Sequence, residues 1–217
     1  LSLERPFDGK WMGKINYTWS RNNGNAEGQL LSDIGQGDVA TTQNYDFPEF
    51  SVNSDGLLPN NRTHSIKAFG YYQATAEWGI GANMLLSSGR PKNCIGNAPV
   101  ATALETPFIP GTSPVTNYSG YGSAYFFCDG QPSPRGSRGS LPWDTRLDLN
   151  LQYRPAAIPG LTMKVDMFNA FNSQVIETIE ERRYPRGSSV VSSTYEAVQS
   201  YSIPRYLKFT IGYDHKF

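Results

Sequence analysis

No apolar run in this sequence approaches the roughly 18 residues of a membrane-crossing helix, and no basic start followed by an apolar stretch marks a secretory leader. There is no surplus charge of either sign, since 19 Lys and Arg balance 19 Asp and Glu, and charged residues make up 18% of the 217. That balance argues against a nucleic-acid binder steered by bulk positive charge. Histidine is scarce: His64 and His215 lie far apart and are better read as residues at strand ends than as ligands. CxxC, HExxH, GxSxG and phosphate-cradling glycine loops are all lacking, so the reading offers no catalytic residue, no metal set and no cofactor, and the chain is not read as an enzyme. Cysteine is limited to Cys94 and Cys128. Glycine and proline are plentiful, yet aromatic residues at 13% exceed what a disordered segment carries. The chain is therefore expected to fold, alone or as part of something larger.

What is present is alternation. Trp11, Gly13, Ile15, Tyr17 and Trp19 share one parity of Trp11 to Ser20, and Met12, Lys14, Asn16 and Thr18 share the other. The same period of two runs through His64 to Ala74, through Trp78 to Ser87, and through Leu161 to Met167. It is clearest where Thr145, Leu147, Leu149, Leu151 and Tyr153 oppose Asp144, Arg146, Asp148, Asn150 and Gln152. A last segment sets Leu207, Phe209, Ile211, Tyr213, His215 and Phe217 against Lys208, Thr210, Gly212, Asp214 and Lys216, and Leu1 to Phe7 reads as the stump of one more strand. Successive strand side chains point to opposite faces, so each segment has one apolar and one polar face.

Lys14, Lys67, Asp144, Arg146, Asp148, Arg154, Lys164, Asp166, Lys208, Asp214 and Lys216 all fall on the polar parity, and Arg205, at a strand end, falls on the other. A basic residue facing lipid at the bilayer midplane costs about 2–4 kcal/mol, falling to about 0–1 near the interface. The exclusion is the one hydrocarbon would impose. Connections alternate in length: a tight turn at Asp8-Gly9, turns at Thr75 to Glu77 and Ala156 to Gly160, and long loops over 21–61, 90–142 and 172–203. Long structureless loops are uncommon in compact soluble domains, whereas outer-membrane barrels combine short periplasmic turns with long outer loops. The predicted fold is all-β: an antiparallel transmembrane β-barrel segment of about seven up-and-down strands, part of a larger barrel. Trp11, Tyr72, Trp78, Tyr153 and Tyr213 would form an aromatic girdle at the short-turn end, with Tyr17 and Trp19 at the other. Phe69 and Tyr71 break the pattern by falling on the polar face.

The segments "LPWDTRLDLNLQYRP" and "LTMKVDMFNAFNSQ", followed by "RYLKFTIGYDHKF", resemble the carboxyl end of TonB-dependent receptors, within them the Oar-like group with a carboxypeptidase-regulatory-like domain. Asp166 to Asn172 is similar to the "D-x-F-N-x-F-N" run of that family, and Leu207, Phe209, Ile211, Tyr213 and Phe217 resemble its assembly β-signal, with His215 departing from the usual aromatic. The resemblance implies that residues 1–217 are the C-terminal portion of the barrel of a Gram-negative outer-membrane receptor, without the plug or TonB box. It also implies partners: outer-membrane lipid, the remaining strands and plug, TonB through a region outside this chain, the assembly machinery, and an extracellular ligand not identified by these motifs. The rival readings are a structural or adhesion barrel without transport, and a soluble β-sandwich binding module.

Within the second long loop, Cys94 and Cys128 are expected to form a disulfide. Tyr118, Tyr121, Tyr125, Phe126 and Phe127, among glycines, are the candidates for an aromatic ligand-capturing surface; collapse of these rings onto one another is the plainer alternative. The charged run Glu177, Glu180, Glu181, Arg182 and Arg183 reads as a solvated loop.

Overall fold

A computed structural model describes residues 1–39, 42–46, 48–98, 124–185 and 188–214. In chain order its strands are β1 (Ser2–Arg5), β2 (Trp11–Trp19), β3 (Asn23–Gly24), β4 (Gly56–Leu57), β5 (His64–Gln73), β6 (Trp78–Ser87) and β7 (Phe127–Cys128). They continue with β8 (Gln131–Pro132), β9 (Asp144–Tyr153), β10 (Leu161–Phe168), β11 (Ile176–Ile179), β12 (Val198–Tyr201) and β13 (Tyr206–Tyr213). Seven of them form one antiparallel sheet in the order β1-β2-β5-β6-β9-β10-β13, each wall strand beside its neighbour in sequence. The expected all-β, up-and-down architecture is thus what the chain adopts. The remaining strands pair in twos, so among the described residues no second sheet is large enough to close a sandwich over the wall.

Register carries the alternation across the whole sheet. Gly13 pairs with Gly70, Gly70 with Ala82, Ala82 with Leu149, Leu149 with Met167 and Met167 with Leu207, so one parity makes a continuous apolar row. One position along, Lys14 pairs with Phe69, Phe69 with Asn83 and Asn83 with Asp148, which places the polar parity on the other face. A slip of one residue in any strand would exchange these faces.

The short turns are locally encoded. Asp8 Oδ1 accepts the backbone N–H of Lys10 at 2.9 Å and of Trp11 at 3.0 Å, while Gly9 takes the left-handed φ of +93° that the reversal requires. Those hydrogen bonds, with the Arg5 ion pair, hold the Asp8 carboxyl below the ordinary carboxylate range. Arg5, opposite Gly13, is a charge on the apolar face; it lies over the Trp11 ring, 4.2 Å from the centroid, at the turn end where such a charge is cheap. Thr75 Oγ1 caps the next turn by accepting from Glu77 and Trp78.

The core does not lie on this sheet. Among the described residues, every buried apolar side chain belongs to a long loop, Ile95, Tyr125, Phe126 and Phe127 foremost, whereas Ile80, Leu149, Leu151, Phe209 and Ile211 of the wall are 39–71% exposed. The expectation of three structureless loops is therefore corrected. Their residues contain two 3₁₀ turns and three strand pairs, β3 with β4, β7 with β8 and β11 with β12, each pair formed within one loop and satisfying backbone groups there.

Candidate functional site

Three loops, here L1 (20–63), L2 (88–143) and L3 (169–205), emerge from one end of the wall, and their described parts make a single cap. L2 is the hub. Its segment at Ile95 bridges to Arg182 of L3, with the Ile95 N–H donating to Glu181 O at 2.9 Å and the Arg183 N–H to Ile95 O at 2.7 Å. Its segment at Arg135 bridges to Gly56 of L1, and the Arg135 N–H donates to Asn53 O at 3.1 Å. Cys94 and Cys128 are joined in a disulfide, with their Cα atoms 5.5 Å apart, and both sulfurs' neighbours Ile95 and Phe127 are buried.

The apolar part of the cap gathers Phe50 from L1 with Ala98, Ala124, Tyr125 and Phe127 from L2. Phe50 stacks on Tyr125 at 4.8 Å between ring centroids. Tyr125, Phe126 and Phe127 are 0–3% exposed, so these three have no ring face open to capture a ligand. Rings of this area are stabilised by mutual burial, as in the alternative of rings collapsed onto one another. Tyr118 and Tyr121 lie outside the described residues.

Beside this core sits a buried polar cluster that no local pattern announced. Arg135 of L2 pairs with Asp33 of L1, both side chains fully buried, and the same guanidinium donates to Ser54 O at 2.7 Å and Asn25 O at 3.3 Å. Its plane covers the Phe126 ring, 4.4 Å from the centroid. Arg90 of L2 pairs with Glu181 of L3 at 3.1 Å and donates to Glu177 O at 3.2 Å. Asn93 stands between the pairs: its Nδ2 donates to Asp33 Oδ1 at 2.6 Å and to Glu181 Oε2 at 3.1 Å, while its backbone N–H donates to Glu181 Oε1 at 3.0 Å and its Oδ1 accepts the Gly136 N–H at 2.6 Å. Of the run Glu177 to Arg183, read as a solvated loop, Glu181 departs from that reading at 1% exposure, whereas Glu177 in β11 is exposed. Burial pushes the Asp33 carboxyl up to about 7 against the pull of Arg135, and pushes Glu181 up against Arg90. At the cap surface Arg183 grips Asp129 through two 2.9 Å hydrogen bonds and Tyr184 adds a third at 2.7 Å, which together lower the Asp129 carboxyl.

Below the cap, the polar face of the wall carries its own paired charges. Lys14 meets Glu4 at 2.7 Å, Arg146 meets Asp144 at 2.8 Å and Glu177 of L3 at 2.9 Å, and Asn150 donates to Asp166 at 2.6 Å. Of the inward aromatics, Phe69 is 41% exposed, while Tyr71 and Phe168 have ring contacts here. Tyr71 lies 6.1 Å from Phe7, donates to Gln73 at 2.6 Å and occupies the space over Gly79, where a Cβ would meet the Tyr71 Cζ at 2.7 Å. Phe168 stacks on Tyr206 at 4.5 Å near the loop end of the same face. On the apolar face Trp78 and Tyr153 stack at 4.3 Å at the turn end, and the upper band is Tyr17, His64 and Trp143, with the Tyr17 hydroxyl 2.9 Å from His64 Nδ1. Leu207, Phe209, Ile211 and Tyr213 line the apolar face of β13, while His215 and Phe217 lie outside the described residues. No group of metal-ligating side chains occurs among the described residues, and no helix there is long and apolar enough to cross a membrane.

Over 82% of its length the chain is 32% identical to the TonB-dependent transporter Oar of Myxococcus xanthus, and it spans 15% of the length of that relative. The resemblance to Oar-like TonB-dependent receptors read from the motifs is borne out by this relative. No family model matches the chain. No solved structure matches it.

Proposed function

We propose, from its kinship with an Oar-like TonB-dependent transporter, that this chain is a C-terminal stretch of the barrel of such a receptor, supplying wall strands and the outer loop cap through which the whole protein takes up its ligand. One observation carries the reading: a single apolar face runs unbroken from β2 to β13 with charges on the reverse, while the apolar core lies in the loops. In water an uncovered face of this extent would drive association; in a bilayer it is the solvated state. The polar face then lines the lumen, where the remainder of the full-length protein places its plug, and TonB acts on a part of the protein beyond this chain. The apolar series Leu207, Phe209, Ile211 and Tyr213 serves as the strand presented to the assembly machinery. Uptake of a ligand, rather than catalysis, is the role that fits a paired, closed cap over a charged lumenal wall.

The topology is tested by impermeant thiol labelling of the full-length protein in intact cells. A cysteine replacing exposed Val190 in L3 should react, and one replacing exposed Ile158 in the turn between β9 and β10 should react after the outer membrane is breached. Labelling of the Ile158 position in intact cells would overturn the orientation, and recovery of the protein in the soluble fraction would overturn the membrane reading.

A further inference from the structure

At one height along the wall the apolar face loses most of its side chains. The register row that reads Leu149, Met167 and Leu207 on β9, β10 and β13 reads Gly13, Gly70 and Ala82 on β2, β5 and β6. Backbone is bare there while the rest of the row is covered. The result is a recess of about 840 Å³, within the roughly 300–1,000 Å³ of small-molecule sites. Trp11, Tyr72 and Ile80 rise on its turn side, and Leu3 and Ile15 on its loop side.

The recess also has charge at its mouth. Arg5 lies on the apolar face opposite Gly13, lines the recess and covers the Trp11 ring, and Lys10 Nζ stands over the Tyr72 ring, 5.0 Å from its centroid. Lys10 has no carboxylate partner among the described residues; its ammonium donates to Ala74 O at 3.5 Å. The acid beside these cations is Asp8, which pairs with Arg5. Glu4 is held by Lys14 on the opposite face, and Glu77 of the next turn points elsewhere, its Oε1 accepting the Ala156 N–H at 2.6 Å. Two cations against one acid leave a single positive charge at the mouth of an apolar slot.

We propose that this recess binds one anionic phospholipid, an acyl chain lying over Gly13, Gly70 and Ala82 and the phosphate drawn to Arg5 and Lys10. The site presupposes the functional reading above in one respect, that this face meets lipid. Complementarity then selects the occupant. A slot floored by backbone and walled by apolar side chains admits a hydrocarbon chain, and the turn-end aromatics lie at the interfacial height of a headgroup, where basic residues attract anionic lipid. An uncharged headgroup would leave the extra cation without a counter-ion.

In the test, full-length protein in detergent is offered equal amounts of phosphatidylglycerol and phosphatidylcholine with the same acyl chains, and native mass spectrometry reads what stays bound. One phosphatidylglycerol should be retained in preference to phosphatidylcholine. Lys10→Gln should lower that preference roughly 5-fold. Ala82→Leu, an apolar change suited to a lipid-facing position, fills the floor and should abolish retention. Should these variants not fold, fluorescence decides: phosphatidylglycerol brominated in its acyl chain should quench the indoles more than brominated phosphatidylcholine at equal mole fraction, and the conservative Trp11→Phe should remove the excess. Equal retention of the two lipids, a preference unchanged by Lys10→Gln, retention by the Ala82→Leu protein, or excess quenching that is absent or survives Trp11→Phe would each overturn the site. So would a second copy of the protein retained in place of the lipid. Indifference to the headgroup in a protein that still partitions into membranes leaves the receptor reading standing, whereas recovery in the soluble fraction overturns both.

Discussion

Arginine at Leu149 should disrupt the protein, and arginine at the adjacent Asn150 should not. Leu149 lies near the middle of β9, between Ala82 of β6 and Met167 of β10 in the same apolar row. Strands that cross a bilayer put their central residues near its midplane, where a lipid-facing Arg costs about 2–4 kcal/mol, a shift of roughly 30- to 900-fold in the folding equilibrium. Thr145 is on the same face near the loop end of β9, where the cost falls to about 0–1 kcal/mol. Asn150 points to the other face and already donates to Asp166 at 2.6 Å, so an Arg there meets a carboxylate. The three variants of the full-length protein are compared by equilibrium folding into lipid vesicles and by the amount of folded protein in isolated outer membranes. The expected order of damage is Leu149→Arg far above Thr145→Arg, with Asn150→Arg near the parent. Equal effects at positions 149 and 150 would mean that hydrocarbon does not touch this face, and a worse effect at 150 would mean that the faces have been assigned the wrong way round.

Two further outcomes concern the cap. Cys94→Ser removes a crosslink between residues 34 apart, which in the chain-entropy account costs about 3–4 kcal/mol; limited proteolysis should cut L2 sooner while the wall stays resistant, and an unchanged cleavage rate would refute the structural role of the bridge. Arg135→Met strands the buried Asp33 without its counter-ion and should destabilise the cap by about 3–5 kcal/mol, whereas pairing it with Asp33→Leu should restore much of that loss, as a double-mutant cycle on cap unfolding would show.

Much of the wall was legible because strand side chains alternate by local backbone geometry alone. The strands expected at Trp11 to Ser20, His64 to Ala74 and Asp144 to Arg154 differ from those observed by a residue at the end, and the Asp8-Gly9 reversal is written in two adjacent residues. The cap was illegible for the opposite reason. Asp33 and Arg135 are 102 residues apart and Asn93 and Glu181 are 88 apart, so no window of sequence contains both partners. Glu181 sits in a charged run whose composition is that of a solvated loop, and only the approach of Arg90 and Asn93 makes its burial tolerable. Tyr125, Phe126 and Phe127 are equally apolar whether open or buried, and composition does not distinguish the two.

The sequence by itself determined which side chains share a face of each strand, where the chain reverses tightly, and so the zigzag wall with one greasy side, because these depend on residues one to three positions apart. Tertiary structure alone decided that the loops close over one another around a disulfide and a buried pair of acids. A buried charge is stable only with its partner in contact, and that partner is brought in by the fold, not by the neighbouring residues.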